Sequence, residues 1–160
     1  ALGVAGNLGF KQSTSSGADK GIALAIQWLD ANRVGTTLDS SNINAGYFAS
    51  TPAFEPDWKT TAAWSQSATA APDSAGNTIQ YQIHRLCAYT DTPYNGISGG
   101  GQQNQCSMME AAAGGAAGNS MNAGAFQFSG TPQVIFRITA RATGPKSTKS
   151  VVQTFYSIPM

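Results

Sequence analysis

Gly96-Ile97-Ser98-Gly99-Gly100 spells G-x-S-x-G, the pattern of a hydrolase nucleophile elbow, in which a serine rides a tight turn from a strand into a helix. Here Thr92-Pro93-Tyr94-Asn95 precedes it and Gly101-Gln102-Gln103-Asn104 follows. Neither segment reads as strand or helix, and the only histidine, His84, precedes the serine where that architecture needs it to follow. As a general base in another scheme, His84 has no carboxylate close in sequence to orient it. It reads instead as a half-exposed residue on the polar side of a strand. Glu55 and Asp57 are the only closely spaced carboxylates, and Pro56 separates them. Asp73-Ser74-Ala75-Gly76-Asn77 reads as a turn, and no D-x-D-x-D-G calcium loop occurs. Gly99-Gly100-Gly101 lacks the Lys-Ser/Thr of a phosphate loop. Cys87 and Cys106 with one histidine make no zinc site. They read as a disulfide formed in an oxidising compartment rather than as two free thiols. The chemistry therefore predicts no catalytic residue, no metal, no cofactor and no enzyme.

Composition narrows the partners. Of 160 residues only 11% are charged and the net charge is +1, well below the usual charged share of about 25%. Lys and Arg are scattered, with no stripe to neutralise phosphates, so nucleic acid is excluded as an expected partner. No run of about 18 apolar residues and no signal peptide is present. The chain starts at Ala1. It is expected to be a fragment whose upstream segment directed export.

The elements that would position any site follow from periodicity. Residues 1–32 read as helix. Ala18, Ile22, Ala25, Ile26 and Leu29 recur at the spacing of one buried face, with Trp28 at its edge. Ser16 followed by Asp19 resembles a helix-starting cap. On propensity alone, Gly3, Gly6, Gly9 and Gly17 argue against helix over the first 16 residues, each by about 1 kcal/mol relative to Ala. Residues 33–77 read as a long loop with a short strand near 46–49, onto which Trp58 and Trp64 fold as anchors. Thr78 to Cys87 alternates as a strand, and so does Gln133 to Thr143. In the latter Val134, Phe136, Ile138 and Ala140 form a core face, and Arg137, Thr139 and Arg141 face away. Gly144-Pro145-Lys146-Ser147 turns the chain into a returning strand over 151–158. Residues 88–131 read as loop with at most a short helical turn. The whole is expected to be α+β, one helix packed on one face of an antiparallel sheet of about four strands.

Two segments resemble a known family. Ile83-His84-Arg85-Leu86-Cys87, after a Gly76-Asn77-Thr78 turn, is one. The other is Val134 to Arg141, followed by Gly144-Pro145-Lys146-Ser147-Thr148 and a terminal strand. Both are similar to type IV pilus minor pilins of the PilX kind, and Ala5-Gly6-Asn7 to Trp28-Leu29 resembles the second half of that family's first helix. The resemblance implies one pilin head domain over 1–160: a helix at 1–32, an αβ loop at 33–77, and a sheet with a disulfide-tied loop at 78–160. It implies that the helix is continuous through residues 1–16, with Leu2, Ala5 and Leu8 on an assembly face, and that Cys87 pairs with Cys106. It implies other minor and major pilins and a tip adhesin as partners, membrane attachment only through a missing upstream helix, and an inner-membrane or periplasmic stage before the extracellular pilus. A type II secretion pseudopilin is built alike. A carbohydrate- or protein-binding module is the other alternative, with Trp58, Trp64, Tyr89 and Tyr94 as its stacking aromatics.

Overall fold

The computed structural model describes residues 2–109 and 131–160, with backbone only for 2–11. Helix α1 spans Leu2–Asn32. Six strands follow: β1 (Tyr47–Phe48), β2 (Ala68–Thr69), β3 (Thr78–Arg85), β4 (Met108–Met109), β5 (Gln133–Thr143) and β6 (Lys149–Pro159). They form one sheet with α1 packed against β3, β5 and β6. The fold is α+β. The expected antiparallel sheet of about four strands is corrected on two counts. Among the described residues there are six strands, and β1 runs parallel to β3. β5 is the central strand, paired along its length with β6 and across most of it with β3. β4 continues the rank of β3 beside Gln133 and Val134, while β1 and β2 lie end to end on the outer edge of β3.

The helix lies close to the sheet because its seam is made of small side chains. Among the described side chains of α1, Thr14, Gly17, Ala18, Gly21, Ala25 and Leu29 are buried, while Ile22, Ile26 and Trp28 are half-buried. A β-carbon built on Gly21 would stand 2.9 Å from the Cβ of Ala140 and 3.1 Å from Cγ2 of Ile79. One on Gly17 would meet the Cβ of Ala142 at 2.9 Å. Propensity counts Gly17 against the helix, and the close approach to the alanines explains why it stands there. Ser16 lies inside α1 and caps nothing. Gly21→Leu has no room in this seam and is expected to lower stability by about 3 kcal/mol through overpacking. Urea melts check it, and a loss under about 0.5 kcal/mol would show that the helix lifts freely off the sheet.

Towards the C-terminal end of α1, the core gathers Ala25, Leu29, Leu38, Tyr47, Ile83, Val134, Phe136, Ile138 and Ile158. Ala140, on the same face of β5, is also fully buried. Trp28 packs on Tyr47 with ring centroids 5.1 Å apart. Gly46, just before β1, has φ 68°, and a Cβ there would fall 2.7 Å from the carbonyl oxygen of Tyr81. Only glycine combines that left-handed backbone with that approach.

The opposite sheet face is covered over β3 and β5, while Val151 and Phe155 on the same face of β6 stay exposed. Thr139 and Arg141 of β5 and Gln82 and His84 of β3 are all buried. The loop between β1 and β2 folds back over them. This corrects the expectation of a sheet buried on one side and of a half-exposed His84.

Candidate functional site

The polar layer between that loop and the sheet is built from single side chains reaching across. Trp64 is buried, its indole N–H donating to the carbonyl of Trp58 at 2.9 Å. Trp58 packs edge-on against it, with centroids 5.1 Å apart, and donates to Oε1 of Glu55 at 2.7 Å. Oε2 of Glu55 accepts from Arg137 at 2.8 Å. The guanidinium of Arg141 lies over Trp64, 4.9 Å from its centroid, and donates to Gln80 at 2.6 Å. Gln82 donates through Nε2 to the carbonyl of Ala63 and to Oγ of Ser67. Partial burial pushes the Glu55 carboxyl up, but the bonds from Trp58 and Arg137 together with the Arg137 charge hold it below the usual carboxyl value.

His84 is the focus of this layer. It is 4% exposed, its ring stacks on Phe48 at 4.8 Å, and the edge of Trp58 stands 6.3 Å away. Its Nδ1 is buried with no hydrogen-bond partner among the described residues. Burial and the neighbouring Arg137 cation push its pKa down to about 4, with Glu55 opposing. The imidazole is therefore neutral at pH 7. His84 and Gln82 line a half-open cleft of about 610 Å³ whose walls include Phe48, Pro52, Pro56 and Gln66.

Trp58 and Trp64, expected either as loop anchors or as stacking faces, pack on each other and on the sheet. Tyr94 is half-buried against the core, and Tyr89 donates its hydroxyl to Gln102. The four aromatics form no common platform. Sequence reasoning missed the cleft at His84. The alternation of β3 placed His84 opposite the core face, but no local signal showed what would cover it.

A second polar hub holds the disulfide-tied loop. Cys87 and Cys106 form the disulfide. Arg85, 1% exposed, donates to the carbonyls of Ala49 at 2.8 Å, Tyr89 at 3.0 Å and Thr92 at 2.8 Å, and pairs with Asp39 at 3.3 Å. Asn104 donates to the carbonyls of Tyr89, Thr92 and Pro93 and accepts from the N–H of Tyr89. Burial drives the Tyr47 phenol upward, and its hydroxyl donates to the carbonyl of Leu38. Three backbone segments, near Asp39, Ala49 and Thr92, are thus gathered on one guanidinium.

Ser98 sits in a turn, its Oγ accepting from the N–H of Gln102, with neither strand before it nor helix after it. Asp73 accepts from the N–H groups of Ala75 and Asn77 in a turn. Among the described residues, no cluster of three His, Cys, Asp or Glu side chains is placed to hold a metal, and no helix is long and apolar enough to cross a membrane. The tract Ala111 to Gly118, read as loop, and the side chains of Leu2, Ala5 and Leu8 lie outside the described residues. No family model, curated protein or solved structure matches this chain.

Proposed function

We propose that this chain is the head of a type IV minor pilin of the PilX kind, a non-enzymatic subunit that takes part in priming and assembling the fibre. The observation that supports it is where α1 leaves the sheet. Thr14 bonds Ser150 at 2.8 Å, Ser13 accepts from Asn77, and Gly144 lies against Thr14. These residues mark the end of the sheet where β3 begins and the β5–β6 hairpin turns. α1 continues N-terminally from there to Leu2, roughly 16 Å further at 1.5 Å per residue. A helix that outruns its own sheet suits packing against neighbouring helices. The disulfide suits an oxidising compartment, consistent with a periplasmic and then extracellular location. Other pilins and a tip adhesin are the proposed partners.

The test places cysteine at Ala5 of the full-length protein in its own cells, with Asp19→Cys as control. Mild oxidation is expected to cross-link the Ala5→Cys chain to other pilins in sheared surface fibres. Cross-links confined to a cell-envelope secretion complex would assign it as a type II pseudopilin instead. Absence from both assemblies, with the chain free in the periplasmic extract, would overturn the proposal.

A further inference from the structure

We infer that the cleft under the β1–β2 loop is a binding site for an uncharged saccharide, held at His84. The inference is independent of fibre assembly, since every residue involved belongs to the folded head.

Three observations carry it. The first is His84 itself. A buried nitrogen without a partner costs roughly 1–3 kcal/mol, and Nδ1 of His84 is such an atom. The ring bearing it lines an open cleft of about 610 Å³, within the range of roughly 300–1,000 Å³ of small-molecule sites. Nδ1 itself is covered, so a ligand reaches it as the ring tilts between Phe48 and Trp58, whose ring centroids stand 4.8 and 6.3 Å away.

The second is charge. The residues lining the cleft carry none, and the Arg137 cation beside His84 is paired with Glu55 at 2.8 Å through one nitrogen, its other two nitrogens being buried. A charged ligand would lose its hydration here with no counter-charge to replace it. A neutral ligand meets no such cost.

The third is the kind of hydrogen bonding offered. A neutral imidazole carries one donor and one acceptor nitrogen, and a hydroxyl satisfies either because it donates and accepts as it rotates. An amide N–H or a carbonyl would suit only one. Gln82 is tied through its Nε2 to Ala63 and Ser67, so its amide is oriented in advance. Gln66 adds a second amide at the wall, while Phe48, Pro52 and Pro56 supply apolar surface for the C–H face of a sugar ring. Several hydroxyls on a ring with an apolar face match this lining.

His84 is the only histidine, so the nitrogen resonances of the ¹⁵N-labelled imidazole report on this site alone. Cellobiose, lactose and diacetylchitobiose are the neutral probes, digalacturonate the charged one, and a proline-rich tetrapeptide the competing class. A saturable shift of the His84 resonances with at least one neutral disaccharide is expected. Ala62→Phe, which fills the cleft wall from an exposed turn, is expected to weaken that binding by about tenfold or more with the melting midpoint unchanged. No shift with any neutral saccharide, a response to the tetrapeptide alone, or an unsaturable shift equal in the Ala62→Phe variant would each overturn the inference.

Discussion

Arg85→Met is expected to destabilise the protein by about 4 kcal/mol, the cost of breaking a buried, hydrogen-bonded charge pair by removing one partner. Among the described residues, the guanidinium alone gathers the carbonyls of Ala49, Tyr89 and Thr92 together with Asp39. Methionine matches its length but takes the donors from the Ala49 carbonyl and the Asp39 carboxylate, each buried group left unmet costing roughly 1–3 kcal/mol, while Asn104 still reaches the carbonyls of Tyr89 and Thr92. Arg85→Lys keeps the charge and loses the planar fork, so it is expected to recover only part of the loss. Urea-induced unfolding of the three proteins at neutral pH checks this. A Met variant within about 1 kcal/mol of the parent would show that the loop is held by the disulfide and Asn104 alone.

Stability is expected to fall by about 3 kcal/mol as the pH drops from 6.5 to 4, because of His84 alone. The folded imidazole titrates near 4, whereas an exposed one titrates at about 6.5. Between those values the unfolded chain takes up a proton that the folded chain refuses, so lowering the pH favours unfolding. Above the unfolded value the contribution is fully present, and below the folded value no more is lost. The groups facing the ring explain the refusal: Phe48 and Trp58 enclose it, Arg137 repels a second cation, and Glu55 offsets this only in part. Glu55 and Asp73, both held below the usual carboxyl value, lose their contributions at lower pH than the upper half of this window. His84→Phe should flatten the stability curve between pH 6.5 and 5. An unchanged slope in that variant would place the titrating group elsewhere.

Some of the architecture was legible along the chain. The spacing of Ala18, Ala25 and Leu29 marked the buried side of the helix. The alternation of Val134, Phe136, Ile138 and Ala140 marked the core side of β5, and the turn at Gly144 placed β6. A short strand was expected near residues 46–49, where β1 lies, but its parallel pairing rests on contacts distant in sequence, and the two-residue strands β2 and β4 are too short to carry a pattern. The Arg85 hub was equally silent, because its acceptors are backbone carbonyls, which every residue possesses.

The residue order of this protein was sufficient to set its α+β class, the later half of its helix and its long strands, since periodicity depends only on near neighbours; propensity spoke against helix over the first 16 residues, and only the resemblance extended it there. Three-dimensional packing was needed to settle what lies over the second sheet face, why glycines 17 and 21 stand in the helix seam, and that His84 is a neutral, enclosed ring beside a cleft. Those outcomes depend on which distant surfaces meet. An alternating pattern tells which side a residue faces, but it does not tell what will be found there.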